Sequence, residues 1–351
     1  MIEKKRINWI DVSKAIGIYL IYLGHCTTNA GAAYSFVFKF HVPLFFFLSG
    51  CSENFNKEEK IINNIKKNFI TILFPALVFA LFSLILNVLF NNLALHEVRI
   101  SLDEIKRGII RNTFVAQPLW FFSCLFVIKC LFSIIKKFKN KIILLLFAVF
   151  SSLISFYYFN PIADYVPGYY LNYFNFDWAI QYLNFYIIGY LLYSYINKFF
   201  EKKSKKMFIV KSLTVILLIL FGATVFFGKN ILSFLPDFLA YSLRTYLLIT
   251  MILMVAHLFE NSIKLKEIGK NTLYLCGSEY IVKLLIKCTL GIVGLKITIS
   301  NPLTAWIYVG ILILIANKYL VPLEKNMFEY IKKYFTKLKK YCNYHWKLVW
   351  I

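Results

Sequence analysis

Three ionisable residues fall within one apolar segment near the start of the chain: Asp11, Lys14 and His25. Lys14 and His25 are eleven positions apart, which on an α-helix places them on nearly the same stripe, about 16 Å apart along the axis. Asp11 precedes Lys14 by one turn and can pair with it. A neutral imidazole is suited to general-base catalysis near neutral pH. The structural alternative is a lysine that snorkels and a histidine at the membrane interface.

The next apolar segment contains the run HVPLFFFLSG, which begins at His41. If this segment runs antiparallel to the first, His41 lies in the same layer as His25, and Ser49 and Gly50 lie in the layer of Lys14. A glycine permits close backbone approach, which a bound ligand can use. Close packing of two helices would also account for a Ser-Gly pair.

Further charges interrupt later apolar segments, where each is costly to place and therefore a candidate for function. Glu279, Lys283 and Lys287 are spaced by four, so they share a helix face and can pair in sequence. They either line a polar cavity or form a structural ion network. Arg244 could bind a phosphate or a sugar acid, or stabilise the helix bundle. Lys129 is interpreted as a snorkelling lysine.

The composition indicates that the natural solvent of this chain is a lipid bilayer. Of 351 residues, 60% are hydrophobic and 16% are charged, and the mean hydropathy is +0.65. A soluble domain needs a larger polar surface than this. The formal net charge of +23 is spread over short basic clusters between apolar runs. That pattern is typical of membrane-protein loops and argues against a nucleic-acid partner.

The cysteines indicate neither a disulfide framework nor a metal site. The seven cysteines contain no C-x-x-C and no paired spacing, and five of them lie inside apolar runs. We interpret them as small buried hydrophobes and expect no bound metal.

We predict an all-α integral membrane protein with about ten transmembrane helices, since each helix needs about 20 mostly apolar residues. The predicted spans are 9–26, 36–52, 69–90, 118–135, 142–159, 178–198, 208–227, 238–258, 272–293 and 302–320. Of 40 Lys and Arg residues, 28 fall in segments that face the cytoplasm if the N-terminus is inside, and 7 fall on the opposite side. This bias predicts a multi-pass protein of the cytoplasmic (inner) membrane with both termini cytoplasmic.

The spans form one predicted membrane domain, residues 1–320, followed by a tail, residues 321–351. The tail mixes Lys with Phe, Tyr and Trp, which favours an amphipathic helix on the anionic inner leaflet. A cleavable signal peptide is the competing interpretation of the N-terminal segment, because a basic start precedes its apolar run.

Three motifs together resemble the membrane acyltransferase-3 family. The run WIDVSKAIG from Trp9 leads to LGH ending at His25, which is similar to the family pattern of a basic residue, ten residues and a histidine. The run from Phe45 to Ser49-Gly50 is similar to a second pattern, and LWFF around Trp120 to a third. The likeness covers nearly the whole chain. It extends to the fucose 4-O-acetylase-like branch, which lacks an attached extracytoplasmic domain.

The resemblance implies an acyl-CoA-dependent O-acetyltransferase, with acetyl-CoA as co-substrate and no tightly bound cofactor. The acceptor would be a hydroxyl of a cell-envelope or surface glycan, either a polysaccharide or a lipid-linked sugar. The outer loop 91–117 either contacts that glycan or forms a solvated helix. We assign His25 as general base, helped by His41. Asp11 would position Lys14 by pairing with it. The residues expected to bind the donor are Lys14, Phe45, Ser49, Gly50 and Trp120.

The chain departs from the family pattern at two places. Many relatives carry R-x-x-R just before the proline of the third span, which here is Pro75, whereas the nearest basic residues are Lys66 and Lys67. Relatives often show a histidine in the ninth span, where this chain has Ser278-Glu279. The role of that histidine is therefore either absent or taken by Glu279.

Two other classes of function compete with acyl transfer. A transporter or flippase could carry a lipid-linked sugar through the same polar cavity, but we find no internal repeat of the kind transporters usually show. An inactive acyltransferase-like scaffold is the third interpretation. Membrane lipids are the remaining expected partners, and the sequence sets no oligomeric state.

Overall fold

A computed structural model describes most of the chain: residues 6–55, 60–92, 119–158, 175–229, 231–292, 294, 299, 301–331 and 333–334. Within these ranges the secondary structure is entirely helical, which confirms the predicted all-α fold. The predicted outer loop, beyond its first two residues, and most of the C-terminal tail lie outside the described residues. Their predicted roles therefore stay predictions.

The described residues form fourteen α-helices, numbered in chain order. The first seven are α1 Asn8–Gly24, α2 Ala32–Val37, α3 His41–Glu53, α4 Ile61–Asn68, α5 Phe74–Asn92, α6 Trp120–Ile135 and α7 Lys141–Tyr158. The others are α8 Phe176–Glu201, α9 Lys205–Phe226, α10 Asp237–Leu258, α11 Ile263–Lys270, α12 Thr272–Gly277, α13 Glu279–Ile292 and α14 Pro302–Ile315. Two π-helical turns, Phe69–Leu73 and Ala316–Leu320, lie between α4 and α5 and after α14.

Helices occupy all ten predicted segments, and several are suited to a bilayer. Among the described residues, five helices are long and apolar enough to cross a membrane: Ala32–Glu53, Ile61–Leu86, Lys205–Phe226, Asp237–Leu258 and Pro302–Ile331. The first, the second and the last of these include short interruptions of regular α-helix. The protein is thus a membrane protein by its apolar helices, while the number of ten spans and the orientation of the termini remain predictions.

The predicted ninth span is broken rather than continuous. The chain leaves helical geometry at Asn271 (φ −99°, ψ 5°) and again at Ser278 (φ −97°, ψ 4°). The Ser278 hydroxyl donates to the Tyr274 carbonyl oxygen at 2.7 Å, a bond to residue i−4 that bends helices. As a result, Glu279 becomes the first residue of α13, where the positive end of the helix dipole favours a carboxylate.

Helix α1 lies in the middle of the bundle, in contact with α3, α10, α11 and α14. Most of its residues are buried, including Trp9, Ile18 and Tyr22. The Tyr22 hydroxyl donates to the Leu275 carbonyl oxygen of α12 at 2.6 Å. The helix that carries the candidate residues is therefore enclosed by protein on most sides.

Two glycines bring α3 and α8 into backbone contact. A Cβ at Gly50 would collide with the Tyr186 carbonyl oxygen, and one at Gly189 would collide with the Phe47 carbonyl oxygen. Small residues at a membrane-helix interface permit this close approach. Helix packing alone therefore accounts for a glycine at position 50, and a contact with the donor stays a prediction.

The start of the C-terminal tail packs on the bundle. Residues 321–331 continue the last helix. The Phe328 ring lies 5.4 Å from that of Phe79 and 6.0 Å from that of Tyr274, measured between centroids. The interfacial amphipathic helix predicted for the tail would have to be formed by residues beyond this segment.

Candidate active site

The His25 imidazole contacts a buried carboxylate from a distant part of the chain. Its Nδ1 atom lies 2.8 Å from both Oε1 and Oε2 of Glu279. The Glu279 side chain is 2% exposed, whereas that of His25 is 28% exposed. An ionised carboxylate only accepts hydrogen bonds, so Nδ1 donates in this contact, and in the neutral tautomer with that donor Nε2 is the unprotonated nitrogen. Among the described residues, nothing bonds to Nε2, and this atom can accept a proton from a substrate.

Lys283 completes this cluster from the next turn of α13. Its ammonium donates to Glu279 Oε1 at 2.5 Å, and it lies 5.6 Å from the centroid of the Tyr22 ring. The pairing of Glu279 with Lys283 is the one expected from their spacing. Two donors thus offset the cost of burying the carboxylate charge. Lys287, the third residue of the predicted series, is exposed one turn further on.

Local chain geometry holds His25 at the end of α1. His25 is the C-cap residue (φ −78°, ψ 1°), and its N–H donates to the Ile21 carbonyl oxygen at 3.0 Å. A short 3₁₀ turn, Thr27–Ala30, follows. The imidazole therefore extends from the end of α1 to the first residue of α13.

His41 lies buried near the cluster of His25 and Glu279. Its Nδ1 donates to the Val37 carbonyl oxygen at 2.8 Å, and its ring centroid lies 4.9 Å from that of Phe38. The ring is close enough to His25 and Glu279 to interact with them electrostatically. The antiparallel arrangement predicted for the two histidine segments thus brings their imidazoles into one neighbourhood.

Asp11 and Lys14 lie at the other end of α1, away from His25. Asp11 is buried, and its Oδ2 atom lies 3.5 Å from Nη1 of Arg6. Asp11 and Lys14 interact electrostatically, but no hydrogen bond joins them. The carboxylate that touches His25 is Glu279 and not Asp11, which leaves Asp11 with the lysine end of the helix.

The Lys14 ammonium has no hydrogen bond or ion pair with any residue in the described part of the chain, although Lys14 is only partly exposed. Ser49 is also partly exposed, and its hydroxyl has no partner among the same residues. An unpaired cation and a hydroxyl without a partner are each suited to binding an anionic ligand.

The aromatic candidates Phe45 and Trp120 pack into the bundle. The Phe45 ring fills the space in front of Gly17, between the levels of Lys14 and His25. The centroid of the Trp120 ring lies 4.3 Å from that of Trp178. Both side chains therefore shape the interior next to α1, and direct contact with a donor is left as a prediction.

A second polar network, near Lys14, was not anticipated from the sequence. The Lys129 ammonium lies 2.8 Å from Glu53 Oε2, and the Tyr186 hydroxyl donates to the same oxygen at 2.9 Å. The interpretation of Lys129 as a snorkelling lysine is wrong, because its ammonium is held inside the protein. No local spacing signals the network, since its members come from α3, α6 and α8.

The described residues contain no group of three or more His, Cys, Asp or Glu side chains that could hold a metal ion. Five of the described cysteines are buried, and Cys130 is partly exposed.

The described residues combine an all-helical fold of apolar helices with a contact between a partly exposed imidazole and a buried carboxylate. The chain belongs to the acyltransferase-3 family, whose acyltransferase-domain model matches residues 7–317. The match extends from the residue before α1 to the π-helical turn after α14 and includes every candidate residue. The protein is therefore a membrane acyltransferase. No curated protein and no solved structure matches the chain.

Proposed function

We propose that this protein transfers an acetyl group from acetyl-CoA to a hydroxyl of a cell-envelope or surface glycan, with His25 as the general base. The observation that carries the proposal is the contact of His25 Nδ1 with the buried Glu279 carboxylate at 2.8 Å. This contact orients the imidazole and leaves Nε2 available. Membership of the acyltransferase family favours acyl transfer over a flippase for lipid-linked sugars.

The proposed reaction needs a base because a sugar hydroxyl is a weak nucleophile near neutral pH. Nε2 of His25 accepts the hydroxyl proton while the oxygen attacks the thioester carbonyl carbon. The tetrahedral intermediate then collapses, the C–S bond breaks, and the imidazolium returns the proton to the departing sulfur. The products are the acetyl ester and the free thiol of coenzyme A.

Glu279 has the orienting role that a carboxylate has in catalytic triads. It holds one ring nitrogen protonated and stabilises the imidazolium while that cation exists. Lys283 in turn offsets the charge of the buried carboxylate. His41 donates from Nδ1 to the Val37 carbonyl oxygen, so its Nε2 atom provides a second acceptor nearby. In this proposal His41 assists the proton transfer.

The donor would bind along α1 towards Lys14. Its unpaired ammonium and the Ser49 hydroxyl are suited to the phosphates of acetyl-CoA. The long pantetheine arm can then carry the thioester towards His25, about 16 Å further along the helix. With the N-terminus in the cytoplasm, donor and acceptor would approach from opposite faces of the membrane.

The test is mass spectrometry of envelope glycans from cells that express the protein or its variants. We expect His25→Ala to abolish the mass increase of one acetyl unit that the wild-type protein causes. The matched control is His257→Ala, which removes another histidine paired with a glutamate, at 3.0 Å from Glu260. Retained acetylation in the His25→Ala variant, at wild-type expression in the membrane, would overturn the assignment.

A further inference from the structure

Lys39 and Arg244 are two cations from segments that a hydrogen bond brings together. The Thr245 hydroxyl donates to the Lys39 carbonyl oxygen at 3.2 Å, which fixes Lys39 next to the residue that follows Arg244. The Lys39 ammonium donates to the Val225 carbonyl oxygen at 3.3 Å. Lys39 and Arg244 interact electrostatically, and since their charges are alike they repel each other.

Arg244 lacks an anionic partner in the described part of the chain. Its Nε atom is buried and has no hydrogen-bond partner there, and no described carboxylate forms an ion pair with it. A guanidinium inside a membrane helix bundle is costly unless its donors are satisfied. Its planar fork matches the two oxygens of a phosphate or a carboxylate. An oxyanion bound here would relieve both the unsatisfied donor and the repulsion from Lys39.

Lys39 is close to the proposed acid–base residues along the chain. Lys39 precedes His41 by two positions, and His41 interacts electrostatically with His25 and Glu279. Tyr241, one turn before Arg244, is also within electrostatic reach of the guanidinium. An anion held by Arg244 would thus place the remainder of its molecule near the imidazoles, at the end of α1 opposite Lys14.

We propose that Arg244 and Lys39 bind an oxyanion carried by the acceptor, so that the acceptor is an acidic glycan or a sugar phosphate. This inference rests on the proposed function, since it names the substrate class of the same site. We assign the phosphates of the donor to Lys14, at the other end of α1, and the oxyanion of the acceptor to Arg244 and Lys39.

The test measures the thermal stability of the purified full-length protein in detergent. The probes are glucose 1-phosphate, glucuronate, neutral glucose and inorganic phosphate. We expect a saturable rise in Tm with glucose 1-phosphate or glucuronate and none with glucose. Arg244→Gln removes the rise and Lys39→Gln weakens it, whereas Lys229→Gln, a control cation just beyond α9, retains it. Arg244→Lys keeps the charge without the fork and gives a smaller rise.

Three outcomes would overturn the inference. One is the absence of any shift in the wild-type protein, and another is a shift that persists unchanged in Arg244→Gln. The third is an equal Arg244-dependent shift with inorganic phosphate, because the site would then bind free phosphate instead of a sugar. His25→Ala separates this inference from the proposed function: it should lose acetyl transfer and keep the ligand-induced shift.

Discussion

The His25 imidazole and the Glu279 carboxylate lie 2.8 Å apart although 254 positions separate them in the chain. This contact joins the end of α1 to the start of α13. The break at Ser278 makes Glu279 the first residue of α13. The break also provides a dipole that favours the carboxylate charge.

Replacing Glu279 with Gln should leave the shape of the site intact and remove the charge that orients His25. By analogy with the carboxylate of catalytic triads, we expect kcat to fall by about 10³- to 10⁴-fold with little change in KM for acetyl-CoA. Steady-state kinetics in detergent or in vesicles would measure both constants. Glu260→Gln, the partner of His257, is the control, and a twofold effect or less at Glu279 would contradict the orienting role.

Replacing Lys283 with Met should destabilise the protein, because the buried Glu279 carboxylate would lose one of its donors. We expect a loss of about 1–3 kcal/mol in the free energy of unfolding. The double variant with Glu279→Gln should recover part of this loss, since the uncompensated charge is then absent. Thermal denaturation of the three variants measures the coupling, and additive effects would show that the two side chains do not interact.

Replacing Lys14 with Gln should weaken donor binding more than it slows the chemical step. We expect KM for acetyl-CoA to rise by about tenfold, the effect of roughly 1.4 kcal/mol of binding free energy, with kcat nearly unchanged. Lys264→Gln, an exposed cation on α11, serves as the control. An unchanged KM with a reduced kcat would place Lys14 outside the donor site.

Replacing Gly50 with Ala should destabilise the protein regardless of any contact with substrate. The added Cβ would collide with the Tyr186 carbonyl oxygen, and overpacking of this kind costs about 1–3 kcal/mol. The control is Gly291→Ala, since a Cβ at Gly291 has no heavy atom within 4 Å. The measurements are the folded yield and the Tm of both variants. A Gly50 variant as stable as the Gly291 variant would show that close packing does not require a glycine at position 50.

The orientation of the helices can be tested with single added cysteines in exposed turns. Lys203, between α8 and α9, is predicted to be cytoplasmic, and Lys229, after α9, is predicted to lie on the opposite side. We expect a membrane-impermeant thiol reagent added to intact cells to label the Lys229→Cys variant and not the Lys203→Cys variant. The reverse pattern would invert the topology and place His25 towards the cytoplasm.

Several features of the fold and site were predictable because they depend on neighbours along the chain. Apolar segments of bilayer length predicted where the helices lie, and each predicted segment is helical. Helical periodicity placed Lys14 and His25 on one helix about three turns apart, and the spacing of Glu279 and Lys283 predicted their ion pair. The family motifs pointed to acyl transfer, which the family match confirms at that level.

Other features could not be predicted because they depend on which helices touch. The contact of His25 with Glu279, the binding of Lys129 by Glu53 and the backbone contact at Gly50 each join helices far apart in sequence. In a membrane protein, the side chains that face lipid and the side chains that face another helix are both mostly apolar. The residue pattern therefore does not encode which helices are neighbours.

By itself, the sequence indicated that the solvent is a lipid bilayer, where the helices lie and which histidine is the candidate base. Hydropathy and helical spacing are local properties of the chain, which is why they could be read from it. Only the tertiary structure decided which carboxylate orients that histidine and which cations remain unpaired. The physical reason is that hydrogen bonds act over about 3 Å, so a charge finds its partner only when packing has brought two distant helices together.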